Sequence, residues 1–232
     1  MISSLFRYPI KQLMLCATIT ALSTISAAND LPKDAPENMG VSSERLKNLP
    51  SAMQRYIDAN MLAGTVSLVS RNGKIIHFES QGWKDKESDE AMTDDTIFFI
   101  MSMTKPIVST ALMMLYEQGH FLLTDPITDW IPELQGKEVI VNDEFGTHRV
   151  PSDRPINFRH VLSHTSGLDP SRNELTQEEL KLLGRTNTLV ETILQRGPLP
   201  LAFHPGDSWQ YGSSTDYVAL LVERIAGVPL KD

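Results

Sequence analysis

Apolar residues recur at helical spacing in several stretches of the chain. Between residues 42 and 62 they run from Leu46 to Ile57 behind a serine cap, and Pro50 is expected to kink or restart that helix. A helix is also predicted over residues 102–118. Another is predicted over residues 124–134, with Pro126 in its first turn. The last clear helix is predicted over residues 214–227.

Two capping boxes predict two further helices. Glu179 follows Thr176 by three residues and Glu191 follows Thr188 by the same spacing, each just ahead of apolar positions. In this arrangement the Thr side chain and the Glu side chain each bond a backbone N–H that the first helical turn leaves free.

A β-hairpin is predicted over residues 64–82. Asn72 and Gly73 separate two runs of strand-forming residues, and both tolerate the positive φ that a type I′ turn requires. The segment KEVIV, residues 137–141, predicts one more short strand. The charged stretch at residues 84–96 mixes both signs, so we interpret it as a solvated loop.

The composition is that of one globular domain. The 232 residues are 41% hydrophobic and 22% charged, which allows a sizeable buried core. The formal net charge of −8 argues against a nucleic-acid partner, because binding phosphates needs a basic surface. No metal site is predicted.

Residues 1–28 have the pattern of a secretory signal peptide. Arg7 and Lys11 precede an apolar run, and small residues lead to Ala28, where we expect cleavage. The apolar run is shorter than the roughly 20 residues that a membrane span needs. We therefore expect a periplasmic or secreted protein without stable membrane insertion after signal cleavage.

A serine and a lysine stand three residues apart at the start of a predicted helix, in the segment FFIMSMTKP. Helical spacing places Ser102 and Lys105 on one face. A serine hydroxyl is a weak nucleophile unless a base takes its proton, and a lysine serves when burial lowers its pKa. The apolar residues on both sides are expected to bury this pair at a strand-to-helix junction. The spacing alone would occur about once by chance in a chain of this length.

The stretch from residue 98 to 133 resembles the Ser-x-x-Lys region of the β-lactamase-related serine hydrolases. That superfamily includes class C β-lactamases, penicillin-binding proteins, D,D-peptidases and a branch of esterases. Residues 161–168 (VLSHTSGL) and 203–227 are similar to its later regions, in the family's order. The resemblance implies an α+β fold of the β-lactamase/transpeptidase type, with helices and an antiparallel sheet, over residues 29–232.

The family's second motif is a tyrosine, any residue, and then an asparagine or serine. It corresponds here to Tyr211, Gly212 and Ser213. The resemblance implies that Tyr211 and Lys105 carry the proton from Ser102 to the leaving group, and that Ser213 contacts the substrate.

The family's third motif is Lys-Thr-Gly, His-x-Gly or Trp-Gly-Gly on a late strand, where a backbone N–H completes the oxyanion hole. No such triplet follows Tyr211. We therefore expect a C-terminally truncated, partial domain with an incomplete sheet, and little hydrolase activity from these 232 residues alone. His164 and His204 are interpreted as structural, since the family transfers protons with lysine and tyrosine.

These observations favour an exported serine hydrolase that forms an acyl-enzyme with an ester or amide and uses no cofactor. A carboxylesterase is favoured, because Ser213 stands where β-lactamases usually have an asparagine amide. The alternatives are a penicillin-binding or D,D-peptidase-like protein, a non-catalytic cell-wall-binding protein, or an inactive fragment. A small-molecule ester, a β-lactam and a peptide all remain open as substrate.

Overall fold

The computed structural model describes residues 31–184 and 186–230, which form two compact units divided after Phe98. Each unit contains α-helices and antiparallel strands, so the described chain is α+β as expected. The predicted signal peptide lies outside the described residues. Within the described residues, the helices are all too short or too polar to cross a membrane.

The first unit has a 3-10 turn, Pro36–Met39, followed by two α-helices, α1 (Ser43–Leu46) and α2 (Asn48–Asp58). The side chain of Ser42 caps α1, as its position predicted. The predicted break is present, but it falls at Lys47 rather than at the proline. Pro50 lies in the first turn of α2, where its missing N–H costs the helix no hydrogen bond.

The predicted hairpin is confirmed as β1 (Gly64–Arg71) and β2 (Lys74–Asp85). Asn72 has φ 52° and Gly73 has φ 72°, as a type I′ turn requires. The charged stretch predicted as a loop is partly extended: β2 continues into it and pairs with β3 (Glu90–Ala91). These three strands form one antiparallel sheet.

The helices of the second unit are, in chain order, α3 (Thr104–Glu117), α4 (Phe158–Leu162), α5 (Gln177–Lys181), α6 (Leu189–Arg196) and α7 (Ser214–Ala226). Both predicted capping boxes are present, at the starts of α5 and α6. Helix α3 packs on α7, which is buried along most of its length. Leu112 of α3 and Leu221 of α7 are fully buried in the shared core.

The helix predicted over residues 124–134 is wrong. The chain instead forms two 3-10 turns, Ile127–Asp129 and Pro132–Leu134. Pro126 is extended, with ψ 129°, and a helix running through Pro132 would lose a backbone hydrogen bond. Ile127 and Ile131 are four residues apart, as on one face of a helix, and both are buried in the core although no continuous helix joins them.

The segment KEVIV is confirmed as a strand, β4 (Glu138–Asp143), and it pairs with β5 (Gly146–Pro151), which the sequence did not predict. Val139 is buried and forms an isolated bridge with Leu201. Helix α4 also went unpredicted, although Asn157 caps it. The described strands therefore make one sheet of three strands and one of two.

Candidate active site

Ser102 lies in a single 3-10 turn, Met101–Met103, that leads directly into α3. The residues just before it form no strand, so the expected strand-to-helix junction is a loop-to-helix junction. Met101 has φ 50°, which costs a residue with a Cβ roughly 1–3 kcal/mol and is found preferentially at functional sites. This backbone turn presents the Ser102 hydroxyl at the N-terminal end of the helix.

Lys105 is the second residue of α3 and faces Ser102 across one helical turn. Its Nζ donates a hydrogen bond to Ser102 Oγ at 3.2 Å. Pro106 follows in the first turn, where a proline does not interrupt the helix. The predicted serine and lysine pair is therefore in direct contact.

Tyr211 reaches the same oxygen from a distant part of the sequence. Its Oη donates to Ser102 Oγ at 2.6 Å, within the usual range of O–H···O hydrogen bonds. The Lys105 ammonium lies 5.0 Å from the centre of the Tyr211 ring. Hydrogen bonding to Ser102, followed by Lys105, holds the pKa of Tyr211 below its ordinary value, while desolvation acts in the opposite direction.

The surroundings of the site differ from the expected apolar burial. Met101, Met103 and Ile107 are 67%, 64% and 62% exposed, and Tyr211 is 53% exposed. The flanking apolar residues therefore do not enclose the serine and lysine within the second unit. The two groups hydrogen-bonded to Ser102 Oγ are the Lys105 amine and the Tyr211 phenol.

Ser213 lies two residues beyond Tyr211, at the start of α7. Its Oγ donates to Asp169 Oδ1 at 2.8 Å, and its backbone N–H donates to Asp169 Oδ2 at the same distance. The hydroxyl proton of Ser213 is thus used within the protein, and a remaining lone pair on Oγ is left for a substrate. The predicted substrate contact of Ser213 stays a prediction in this narrower form.

His164 packs against the tyrosine of the site. The ring centres of His164 and Tyr211 are 4.8 Å apart, and His164 has φ 57°. Desolvation, with a contribution from Lys105, lowers the pKa of His164. Trp209 contacts both aromatic rings, with its ring centre 6.3 Å from that of His164 and 6.5 Å from that of Tyr211. His204 lies beside Asp153, at 3.2 Å between Nδ1 and Oδ1.

The histidines do not assemble a metal centre in the part of the chain that the structure describes. No three His, Cys, Asp or Glu residues there are placed to hold one ion. His160 and His164 are four residues apart, but His164 lies beyond the end of α4 and its positive φ breaks the helical spacing. The Nδ1 of His160 accepts the Asn157 N–H at 3.2 Å.

Comparison with known proteins identifies the family of this chain. Residues 49–232 match the family described as Beta-lactamase. The chain belongs to the beta-lactamase family. The resemblance inferred from the three sequence regions is therefore confirmed.

Relatives of this beta-lactamase-family chain include proteins named as esterases. Esterase EstB of Burkholderia gladioli is 31% identical over 189 residues, which cover 78% of this chain and 46% of that protein. Lovastatin esterase of Penicillium rubens is 27% identical over 194 residues, covering 79% of this chain and 48% of the relative. The chain thus spans about half the length of the curated relatives it matches.

A solved structure supports the fold assignment. EstCE1, titled a hydrolase with promiscuous acyltransferase activity, matches with a TM-score of 0.66 and 28% identity. The match covers 80% of this chain and 48% of EstCE1. The expected β-lactamase/transpeptidase-like fold is therefore confirmed for the region that the two proteins share.

Proposed function

We propose that this protein is a serine esterase in which Ser102 attacks the carbonyl carbon of a carboxylic ester and becomes acylated. One observation carries the proposal: Tyr211 Oη and Lys105 Nζ both lie within hydrogen-bond distance of Ser102 Oγ, at 2.6 and 3.2 Å. Both groups donate to Ser102 Oγ while Tyr211 is neutral, and once Tyr211 is ionised its oxygen can accept the Ser102 proton at the same distance, which is the arrangement that covalent catalysis requires.

Acylation forms the bond between Oγ and the carbonyl carbon and breaks the bond to the ester alcohol. The proton of Ser102 passes to the Tyr211 and Lys105 pair, which gives it to the departing alkoxide. In deacylation, water attacks the acyl-enzyme, the same pair accepts the water proton, and Ser102 Oγ recovers a proton as the carboxylic acid leaves. No external oxidant, reductant or cofactor is needed for either step.

The electrostatics of the site support tyrosine as the proton carrier. A tyrosine accepts a proton only as phenolate, and the lowered pKa of Tyr211 increases the phenolate fraction at a given pH. The Lys105 ammonium stabilises that phenolate and would favour the return of the proton when the leaving group needs it.

An ester is favoured over a β-lactam for two reasons. Ser213 replaces the asparagine usual in β-lactamases, and its hydroxyl donates to Asp169 rather than standing free as a donor. The relatives named above as esterases support the same choice. A penicillin-binding or D,D-peptidase-like protein and a non-catalytic cell-wall-binding protein are the outcomes that the experiments below separate from it.

The test is covalent labelling of the complete gene product with a fluorophosphonate probe, beside its Ser102→Ala variant. We expect the wild type to be labelled at Ser102 and the variant to remain blank. Equal labelling of both proteins would refute the nucleophile assignment.

Substrate choice is tested by comparing a short-chain nitrophenyl ester with a chromogenic cephalosporin. We expect faster turnover of the ester. Faster cephalosporin turnover would contradict the esterase proposal. A penicillin adduct that forms without product release would replace it with a penicillin-binding function.

We also propose that the protein is exported to the periplasm or the medium, on the basis of the pattern in residues 1–28. Fractionation of cells, with N-terminal sequencing of the mature protein, should find it outside the cytoplasm and starting near residue 29. An intact N-terminus on a cytoplasmic protein would contradict this.

A further inference from the structure

Residues 164–169 lie alongside the chain that delivers Tyr211. Backbone hydrogen bonds join the two segments from Ala202 N–H to Gly167 O at 2.8 Å, from Gly206 N–H to Thr165 O at 2.8 Å, and from Gln210 N–H to His164 O at 2.9 Å. The last of these bonds fixes the residue immediately before Tyr211. The approach of Tyr211 is thus set by the conformation of a different loop.

Asp169 accepts hydrogen bonds from residues on both sides of Tyr211 in the sequence. Its carbonyl oxygen accepts from Gln210 Nε2 at 2.9 Å. Its two carboxylate oxygens accept the N–H and the O–H of Ser213, each at 2.8 Å. One aspartate therefore holds the residue before Tyr211 and the residue two positions after it.

The absence of a side chain at Gly212 allows the Asp169 carboxylate to approach Ser213 this closely. A Cβ built at Gly212 would lie 2.1 Å from Asp169 Oδ2 and 2.5 Å from its Cγ, distances that real Cβ atoms do not adopt. A side chain at position 212 would push the carboxylate away from Ser213. The glycine in the Tyr-Gly-Ser sequence is thus explained by the close approach of Asp169.

We propose that Asp169 is a positioning residue for Tyr211: its backbone carbonyl anchors Gln210, its carboxylate anchors Ser213, and the two contacts keep the phenol within hydrogen-bond distance of Ser102. The inference rests on the proposed acyl-transfer function, to which Asp169 contributes without touching the substrate. Sequence reasoning missed this residue, because its partners are more than forty positions away.

The contacts indicate that Asp169 acts through geometry rather than through charge. The groups that lower the pKa of Tyr211 are Ser102 and Lys105, and Asp169 is not among them. Asp169 does act electrostatically on Asp216, whose pKa it helps to raise, after desolvation. A change that keeps the two hydrogen bonds but removes the charge should therefore preserve catalysis.

Two substitutions separate these explanations. In Asp169→Asn, the amide oxygen accepts the Ser213 N–H and the amide N–H donates to Ser213 Oγ, whose hydroxyl can reverse its role. In Asp169→Ala both bonds to Ser213 are lost, while the backbone carbonyl of residue 169 can still accept from Gln210. We expect the rate at which the fluorophosphonate probe labels Ser102 to fall by about 10- to 100-fold in Asp169→Ala, because displacing a catalytic group by about 1 Å costs about 10²-fold. We expect Asp169→Asn to stay within about threefold of wild type.

Asp125→Ala is the matched control, since Asp125 also accepts a loop N–H, from Leu122 at 2.7 Å, but contacts no residue of the proposed site. It should acylate at the wild-type rate. If Asp169→Asn is as slow as Asp169→Ala, or if Asp169→Ala acylates normally, the positioning role is refuted.

A double-mutant cycle with Tyr211→Phe tests whether the effect passes through the tyrosine. If Asp169 acts by placing Tyr211, then Asp169→Ala costs little further rate in the Tyr211→Phe background. Fully additive losses would show that Asp169 acts elsewhere and would overturn the proposal.

A titration distinguishes failure of this inference from failure of the proposed function. If the wild-type protein takes no label, the esterase proposal fails, and the position of Tyr211 is then read from its phenolate absorbance, as a difference from the matching Tyr211→Phe protein. Asp169→Ala and Gly212→Ala should each raise the pKa of Tyr211 toward its ordinary value, and Asp169→Asn should not. An unchanged pKa in Asp169→Ala would refute the positioning role.

Discussion

Replacing Tyr211 with phenylalanine removes one atom from the proposed site and leaves the ring in place. The lost contact is the 2.6 Å hydrogen bond to Ser102 Oγ, the shorter of the two bonds that this oxygen accepts. Proton transfer by a positioned side chain contributes about 10²- to 10⁴-fold to the rate. Because Lys105 keeps its own bond to Ser102, we expect kcat/KM to fall toward the lower part of that range, about 10²- to 10³-fold.

The assay is hydrolysis of a nitrophenyl ester by the complete gene product, with thermal unfolding measured on the same samples. The ring of Tyr211 is half exposed and can still pack on His164, so Tm should stay within about 2 °C of wild type. Tyr116→Phe, at an exposed tyrosine near the end of α3, is the matched control and should retain full activity.

The reasoning would be refuted if Tyr211→Phe kept more than about a tenth of the wild-type kcat/KM, since acid–base catalysis by a phenol predicts at least a 10²-fold loss. A loss confined to KM would also contradict it. An interaction that moves a proton in the transition state lowers kcat, whereas uniform substrate binding changes KM alone.

Three other substitutions test the electrostatics and the core. In a plot of kcat/KM against pH, Lys105→Ala should shift the rise in activity to higher pH. The active phenolate forms above the pKa of Tyr211, and Lys105 lowers that pKa. A rise at the same pH as in wild type would exclude an effect of Lys105 on the pKa of Tyr211. Glu179, whose pKa its arginine partner lowers from 4.5 to about 2, stabilises the fold above its unfolded pKa and loses that effect as pH falls toward 2. Measured by urea titration, the free energy of unfolding should therefore fall more steeply between pH 6 and pH 3 in wild type than in Glu179→Gln. Glu178→Gln should behave as wild type. Leu112→Ala should cost about 2–5 kcal/mol in the free energy of unfolding, measured by urea titration, and a cost below 1 kcal/mol would contradict its central burial.

Features encoded by neighbouring residues were predicted correctly. The Asn72-Gly73 turn, the capping boxes of α5 and α6, and the Ser102 to Lys105 contact all depend on positions at most three apart. Turn geometry and helical spacing fix such features locally, so that the sequence pattern is sufficient to identify them.

Features that depend on distant contacts were missed or predicted wrongly. Strand β5 is defined by its pairing with β4, and its own residues alternate too weakly to indicate a strand. The apolar spacing at residues 124–134 suggested a helix, but prolines there divide the chain into two short turns. Asp169 contacts Ser213 across 44 positions, and periodicity carries no signal at such a separation.

The site also corrects the physical reason first given for its reactivity. The sequence suggested that apolar neighbours would activate a buried lysine, yet the nearest of them, Met101, Met103 and Ile107, are exposed in the second unit. What the structure places against Ser102 is a phenol, and hydrogen bonds rather than burial lower the pKa of that phenol, since desolvation there acts in the opposite direction. A hydrogen bond of this kind requires its donor and acceptor to stay within about 3 Å of each other. A site that works in this way needs Tyr211 to be held firmly in place, and the carboxylate of Asp169 is placed to do so.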